Sequence, residues 1–430
     1  MRIIATLFAL FSCSLLAAQP YSATEHRELP RGYIVPHYSA ADAAAQAEKH
    51  RYRSPITEWT AEGNRLTADL ISTFAWTNRQ VILHIESMPA DYELWINGRP
   101  TATNRDGNSP ADFNITKQVK EGRNRVEVIL NQPSDMAPIE GWKLGSEQAG
   151  KVWVVASPTM GVRDVLVNTE WSAETPQIAT TEVGIIVKSY ALNPRSVRLH
   201  YELDDPTGKT IAHGYTDLTL QMRGEDTVRF LATIPDTLLW SREKPRQHTL
   251  RIRTQRDGRY TEYHQYPIGP RAISLREGTL TINGKEEGLR IENCTPEATP
   301  EHLAEIRRSG VNTIRLNPGA VAPHLYAVCD TLGLYVIAQA PIDSHQAGTA
   351  RTVNGNPSNN PAWVPYYLER VENSYHTAKR HPSVIGFATA YQSANGIALY
   401  ESYLRMKALE SDRPILYPEA EGEWNSDRIE

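Results

Sequence analysis

Two polar residues directly follow a short apolar run in the C-terminal part of the sequence. Residues 383–390 have the length and composition of a strand that is buried on both faces, and Tyr391 and Gln392 come next. In barrels of alternating strands and helices, reactive groups lie at the C-terminal ends of the strands, so chemistry is expected at this pair. A glutamine amide donates and accepts hydrogen bonds but has no acidic proton. The pair can therefore bind a ligand, but the amide cannot act as a general acid.

A helix is predicted just before this strand. Pro361 occupies a first-turn position, where its missing N–H is not needed. Leu368, Val371 and Tyr375 recur at helical spacing and give the helix one apolar face. His381-Pro382 ends the helix. The stretch therefore forms one helix–strand unit.

The same alternation of strand and helix extends over residues 269–430. Thr299 is suited to cap one helix, and Gly333 to end another. This pattern predicts a parallel (β/α) barrel, but an eight-stranded barrel needs roughly 200 residues or more. We therefore expect a partial barrel of about strands one to five. The predicted strands are 289–292, 311–316, 334–339, 383–390 and 414–417, and the other helices are 300–309, 324–332 and 397–409.

Short strands precede this region. Residues 51–170 show period-two alternation, and Asn97-Gly98 after the run 92–96 is a strong hairpin signal. This pattern favours a β-sandwich. Residues 171–268 form a second strand-rich segment whose length suits an immunoglobulin-like sandwich. The predicted fold class is thus multidomain, with two β domains followed by an α/β domain.

The N-terminal residues resemble a secretory signal peptide. Arg2 precedes the apolar run 3–16, and Ala17-Ala18 offers a cleavage site, so residues 1–18 are expected to be removed. The surrounding sequence is a poor lipoprotein signal, which disfavours lipid anchoring through Cys13. We expect a secreted protein, periplasmic or on the cell surface, with residues 19–50 as an N-terminal extension.

The composition excludes several classes of function. The net charge is −5 and no long basic block occurs, which argues against binding to nucleic acid. No segment beyond the N-terminal run is apolar enough to form a transmembrane helix. Cys294 and Cys329 are expected to be buried thiols, and no metal site or cofactor motif is recognisable.

Several motifs together carry a resemblance to a known family. In the β region they are residues 94–99, 112–115 and 122–128, and in the last region they are Asn-Pro-Ala-Trp at 360–363 and His-Pro-Ser-Val at 381–384. The chain thereby resembles glycoside hydrolase family 2, the β-galactosidase/β-glucuronidase group. The resemblance implies a jelly-roll sugar-binding domain, an immunoglobulin-like domain and a barrel. Residues 162–165 match the end of the jelly roll, and 145–160 then form an extra surface loop or hairpin.

The resemblance also identifies where catalysis would occur. In the family, the glutamate of an Asn-Glu pair after strand four is the general acid/base, and a second glutamate after strand seven is the nucleophile. Here Tyr391-Gln392 replaces the pair, and the nucleophile position falls beyond Glu430. Retaining glycosidases need both carboxylates, and losing a general acid lowers the rate by about 10²–10⁴-fold. We therefore expect no intact catalytic residue.

Some of the family's sugar-contact positions are kept. Arg315, His345 and His381 match, and Glu140 stands where the jelly roll offers an acid to the sugar. The candidate substrate-binding residues are His345, Arg315, Tyr391 and Glu140. Two of the matching positions also have simpler explanations: Arg315 could pair with a buried carboxylate, and His381 could serve in packing.

Other residues at strand ends have weaker signals. Glu419 closely follows strand five, a position with catalytic potential in any barrel, but its surroundings are typical of a solvated loop. Trp95, Trp142 and Trp363 could stack on sugar rings, although core packing explains them as well.

Two functions remain open from the sequence. The first is a non-catalytic module that binds a glycan or serves as a protein-interaction scaffold. A partial barrel exposes strand edges, so a homo-oligomer or a protein partner is then expected to cover them. The second is an active exo-β-glycosidase that uses other carboxylates.

Overall fold

The computed structural model describes residues 26–32, 34–142, 149–320 and 323–429. The predicted signal segment 1–18, including Cys13, lies outside the described residues. Within the described ranges, no helix combines the length and apolarity that crossing a bilayer requires.

The first domain is a sandwich of two antiparallel sheets, with strand orders β1-β9-β4-β7 and β2-β3-β8-β5-β6. Leu83, Leu94 and Val126 are fully buried between the sheets. Asn97 and Gly98 both have positive φ at the β5–β6 turn, as the predicted hairpin requires. The strands are β1 (Arg53–Ile56), β2 (Thr60–Glu62), β3 (Arg65–Ser72), β4 (Gln80–Ile85), β5 (Tyr92–Ile96), β6 (Arg99–Asn104), β7 (Ala111–Asn114), β8 (Gly122–Leu130) and β9 (Val152–Ser157).

The stretch 145–160, expected to be a surface insert, contains a core strand. Strand β9 lies between β1 and β4, and its Val154 and Ala156 are fully buried. Its run of small and β-branched residues fits a strand covered on both faces. Residues 145–148 of the same stretch lie outside the described residues.

The second domain is also a sandwich, with sheets β10-β11-β14 and β13-β12-β15-β16. Its core includes the fully buried Val183, Leu199 and Leu250. Strand β10 pairs with β11 along its length, so residues 160–170, which the sequence assigned to the first domain, belong to the second by their pairing. The strands are β10 (Met160–Trp171), β11 (Ile178–Ser189), β12 (Arg195–Asp204), β13 (Thr210–Leu220), β14 (Glu225–Pro235), β15 (His248–Arg256) and β16 (Arg259–Ile268).

The third domain opens with a small antiparallel sheet and continues as a parallel sheet of five strands in chain order, β20-β21-β22-β23-β24. The predicted alternation of strands and helices is confirmed. The strands are β17 (Ile273–Arg276), β18 (Thr279–Ile282), β19 (Lys285–Glu286), β20 (Ile291–Cys294), β21 (Thr313–Leu316), β22 (Tyr335–Gln339), β23 (Val384–Ala388) and β24 (Ile415–Leu416).

Four helices connect these parallel strands, and a short helix, α1, lies in the N-terminal segment. Leu303, Val371 and Leu399 come from three of the connecting helices and join the strands in one apolar core. Cys294 and Cys329 are buried free thiols, as predicted. The helices are α1 (Ala40–Ala44), α2 (Pro300–Arg308), α3 (Pro323–Leu332), α4 (Val364–Ala378) and α5 (Ile397–Leu409).

Several element boundaries differ from the prediction by a few residues, and two of these differences have identifiable reasons. Strand β20 begins at Ile291 rather than at 289, because the Asn312 side chain binds the Arg290 N–H (2.7 Å) and the Gly288 carbonyl (2.8 Å). These bonds use the backbone groups that a longer strand would need. Helix α4 is preceded by a separate turn of 3₁₀ helix at Pro361–Trp363, which the Asn360 side chain caps.

A buried group of charges, here called the joint, connects the first sandwich to helix α4. The Arg370 side chain is fully enclosed and donates to Glu140 Oε1 at 2.6 Å. Its Nε lies 3.9 Å from Asp106 Oδ1, and Asn373 also donates to Asp106. Burial alone would raise the pKa of Asp106, but Arg370 and the hydrogen bonds around it hold that pKa below its usual value. The joint thus fixes α4 against the first domain.

The described parts of the N-terminal segment, residues 26–32 and 34–50, contact all three domains. Arg27 pairs with Glu369 of α4 at 3.0 Å, and Arg31 pairs with Asp112 of β7 at 2.9 Å. His37 exchanges backbone hydrogen bonds with Tyr263 of β16. The segment therefore adds polar contacts that hold the domains in one arrangement.

We predict that Arg370→Ala lowers the free energy of unfolding by about 3–5 kcal/mol, because it leaves buried carboxylates without their counter-charge. Urea unfolding followed by circular dichroism measures the change. The matched control is Arg123→Ala, which breaks an exposed pair with Asp69 and should lower it by less than about 1 kcal/mol. Equal losses in the two variants would contradict a stabilising role for the joint.

Candidate functional site

Three backbone segments meet at the C-terminal end of the parallel sheet. A loop of the first sandwich lies beside the residues that follow β22, and these in turn lie beside the residues that follow β23. The hydrogen bonds run from Asp343 N to Ile139 O, from Gly141 N to Asp343 O and from Tyr391 N to Ile342 O, each 2.9 Å long. We call this set the rim ladder. It makes the first sandwich part of the border of the candidate site.

Arg315 lies at the centre of the site, on β21. Its Nη2 donates to Gln339 Oε1 at 3.2 Å and to the Ala390 carbonyl at 3.3 Å, and lies 4.0 Å from Glu419 Oε2. The guanidinium also lies over the Tyr391 ring, 5.5 Å from its centroid. Burial lowers the pKa of Arg315, and the nearby Glu419 opposes this shift. Arg315 therefore links the ends of four neighbouring strands.

Gln392 occupies the exposed side of the site in an unusual backbone conformation. Its φ is 43°, in the left-handed region that residues other than glycine seldom adopt. Its N–H points to Glu419 Oε1 at 3.4 Å, and its Nε2 lies 3.4 Å from the Tyr391 hydroxyl. Non-glycine residues held in this region cluster at functional sites.

Glu419 is a member of the site that the sequence favoured only as part of a solvated loop. It follows β24, and its side chain lies between Arg315 and the Gln392 backbone, 32% exposed. Its position directly after a strand was the available signal. The site thus places one carboxylate beside an amide, whereas retaining hydrolysis needs two carboxylates about 5–5.5 Å apart.

His345 lies at the rim, and its ring is 44% exposed. Its Nδ1 is 2.6 Å from Asp343 Oδ1, an oxygen that also accepts the His345 backbone N–H at 3.0 Å. The buried carboxylate of Asp343 therefore fixes the ring while leaving part of it open to a ligand. Gly141 lies against this ring: a Cβ there would come within 2.9 Å of Nδ1.

Glu140 and His381, two other positions singled out in the sequence, lie away from the open site. The Glu140 side chain is enclosed in the joint, where Oε1 accepts from Arg370 and from Asn108 at 2.8 Å, so the structure gives it a structural position rather than the predicted contact with substrate. His381 lies at the start of β23, at the opposite end of the sheet. Its ring binds Asp330 at 2.6 Å and stacks on Tyr326, which fits a packing role.

The three tryptophans considered as sugar platforms have different surroundings. Trp363 packs edge-on against Tyr366, and Trp95 donates to Glu93 at 3.0 Å. Trp142 follows Gly141 on the loop that forms the rim ladder and is half-buried. Within the described ranges, no three His, Cys, Asp or Glu side chains cluster closely enough to hold a metal ion.

The domain order agrees with three family models. Residues 60–154 match the sugar binding domain of glycosyl hydrolases family 2, residues 161–271 match a second model of that family, and residues 297–429 match its TIM barrel domain. The second match begins where β10 begins, in agreement with the pairing of that strand.

Curated relatives include β-galactosidases. The chain is 23% identical to the enzyme of Priestia megaterium over 364 residues, which cover 80% of this chain and 35% of the relative. It is 24% identical to the enzyme of Yersinia enterocolitica, with 79% of this chain and 34% of the relative covered. The chain thus spans about a third of the length of these relatives.

Solved structures share the fold. A glycosyl hydrolase family 2 member from Bacteroides cellulosilyticus aligns with a TM-score of 0.67 at 18% identity, covering 82% of this chain and 49% of that one. The β-glucuronidase of Bacteroides uniformis also aligns with a TM-score of 0.67, at 17% identity, covering 82% and 46%. These likenesses agree with the fold, and the matches to family models along all three domains show that the chain belongs to glycoside hydrolase family 2.

Proposed function

We propose that this protein is a non-catalytic member of the family that binds glycans at the ends of its barrel strands. The observation that carries the proposal is Gln392, an amide that directly follows β23, and by the resemblance of its motif it corresponds to the family's general acid/base. An amide keeps the size and hydrogen bonding of the acid but has no proton to give to a leaving oxygen. Binding without hydrolysis is the expected consequence.

The remaining side chains support binding of a polar ligand that carries hydroxyl groups. Arg315 and Glu419 supply a donor and an acceptor, and Tyr391 supplies both a hydroxyl and an apolar ring. His345 adds a partly exposed ring whose orientation is fixed. Pockets with a few oriented polar groups beside an aromatic surface are typical of small-molecule sites.

The alternative function is exo-β-glycoside hydrolysis with Glu419 as one of the acids. It is favoured by the position of this carboxylate, whose Oε1 lies 3.4 Å from the Gln392 nitrogen. The similarity of the chain to β-galactosidases also favours it. It requires a second carboxylate close to Glu419. Asp343 is an unsuitable second acid, because it is buried and bound to His345.

We predict that the purified protein binds methyl β-galactoside or methyl β-glucuronide but does not hydrolyse the corresponding nitrophenyl glycosides. Arg315→Ala should weaken binding by about tenfold or more, because it removes charged hydrogen-bond donors to the sugar hydroxyl groups. Isothermal titration calorimetry measures the binding, and absorbance measures nitrophenol release.

The matched variants separate the two functions. Arg123→Ala removes an exposed arginine of the first domain and should leave binding unchanged. Nitrophenol release by the wild type that Glu419→Gln abolishes would establish the hydrolytic alternative. Absence of binding to either sugar would contradict the proposed function.

We further propose that residues 1–18 direct secretion and are removed. The support is compositional: a basic start, an apolar run and small residues before Gln19. Mass spectrometry of the protein purified from its native cell should give Gln19 as the first residue, in the periplasmic or extracellular fraction. A cytoplasmic protein that retains Met1 would contradict this.

The exposed edge of the parallel sheet supports a proposal about partners. Among the described residues, strand β20 has a strand neighbour on one side only, and its Ile291 is 51% exposed. Unpaired strand edges readily accept another strand. We propose that a second copy of the chain covers this edge. Light scattering should give a dimer that Ile291→Lys dissociates, with Ile178→Lys, at an exposed site on β11, as the control. A monomeric wild type would contradict the proposal.

A further inference from the structure

An exposed aromatic residue lies on the same side of the barrel as the candidate site. Trp424 follows β24, five positions after Glu419, and is 57% exposed. Tyr400, in the first turn of α5, stacks against its ring with centroids 5.3 Å apart and planes at 19°. Tyr403 meets the ring edge-on at 5.9 Å. Tyr400 and Tyr403 therefore hold the indole, while more than half of the Trp424 surface remains exposed.

The backbone beside Trp424 is fixed by a buried amide pair. Asn425 Nδ2 donates to Asn395 Oδ1 at 2.8 Å, and Asn395 Nδ2 donates to Asn425 Oδ1 at 3.1 Å. Both residues are buried. Asn395 lies in the connection that also carries Gln392, so the amide pair joins the Trp424 segment to the candidate site. An exposed tryptophan that is held in this way loses little conformational freedom when a ligand binds.

Charged groups lie next to Tyr400, the residue that stacks on Trp424. Arg351, from the connection after β22, pairs with Glu423 Oε1, and the Tyr400 hydroxyl donates to Glu423 Oε2. The hydrogen bonds from Tyr400 and Arg351 lower the pKa of Glu423, which keeps it an ionised acceptor. Arg351 and Glu423 are both partly exposed, and each has hydrogen-bonding capacity that these contacts do not use.

This combination has the chemistry of a sugar-ring platform. A pyranose has a face of C–H groups that packs on the negative face of an indole, and a border of hydroxyl groups that bind charged donors and acceptors. The platform residues follow β22, β23 and β24 in turn: Arg351, Tyr400 and Trp424. The candidate site at Arg315, called the strand-end site below, lies at the same C-terminal ends of the strands. The Cα atoms of Glu419 and Trp424 are at most about 18 Å apart along the chain.

We propose that Trp424, Tyr400, Arg351 and Glu423 form a second sugar subsite, which binds a further unit of an oligosaccharide whose end occupies the site at Arg315. The inference rests on the proposed function in taking the ligand to be a glycan. It adds that the protein binds oligosaccharides more tightly than single sugars. The preference follows from the platform alone and needs no catalytic step.

Calorimetry with a β-linked galactose tetrasaccharide and with methyl β-galactoside tests this subsite. The wild type should bind the tetrasaccharide more tightly than the single sugar. Trp424→Ala should weaken tetrasaccharide binding by about fivefold to tenfold and leave binding of the single sugar unchanged. Arg315→Ala should weaken both. Trp424→Phe keeps a ring on Tyr400 and should retain most of the affinity, which separates loss of the platform from loss of folding.

Phe74→Ala is the matched control, because it removes an exposed aromatic ring from the first domain. If Trp424→Ala binds the tetrasaccharide as the wild type does, the platform is overturned and the strand-end site stands. If the tetrasaccharide binds in a manner that depends on Trp424 but not on Arg315, the platform stands and the strand-end site fails. If the wild type binds neither the tetrasaccharide nor methyl β-galactoside, the second subsite is overturned, and titration with methyl β-glucuronide then decides separately whether the strand-end site stands.

Discussion

Arg370 is enclosed without solvent contact between two carboxylates of the first sandwich, and the geometry of the candidate site depends on this arrangement. The ion pair with Glu140 fixes the loop whose next residue, Gly141, joins the rim ladder through Asp343. A buried charge of this kind is strongly destabilising if its partner is lost, so the two domains have one preferred orientation. The β domain therefore contributes to the site as well: its backbone borders the site, and Gly141 lies against the His345 ring.

Local sequence signals predicted most of the third domain. The 3.6-residue spacing before residue 383 and the apolar run after it are sufficient for α4 and β23, and Asn97-Gly98 is sufficient for its hairpin. The errors lie where pairing over long sequence distances decides the outcome. Strand β9 sits in a stretch assigned to the surface, and β10 pairs with the domain after it rather than the one before. The surroundings of Glu140 and Glu419 were not predictable either, because each carboxylate lies near an arginine that is distant in the sequence, Arg370 and Arg315 respectively.

The site combines a hydrogen-bonded framework with an exposed amide. Arg315 links the strand ends, and the connection after β23 presents the polar side chain of Gln392 to solvent. Glu419 supplies one carboxylate, held near Arg315. Hydrogen bonding to hydroxyl groups needs no more than this, whereas cleaving a glycosidic bond requires proton donation to the leaving oxygen. Trp424 adds an exposed aromatic ring on the same side of the barrel, where the proposed second subsite would bind a further unit of an oligosaccharide.

Mass spectrometry of an oligosaccharide recovered after prolonged incubation with the wild-type protein tests the central claim most directly. If the site at Gln392 binds a glycan but donates no proton to the leaving oxygen, the glycan co-purifies with the protein and is recovered at its original mass. Shorter products that accumulate in proportion to protein concentration, and that vanish in Glu419→Gln, would show that the site still breaks glycosidic bonds.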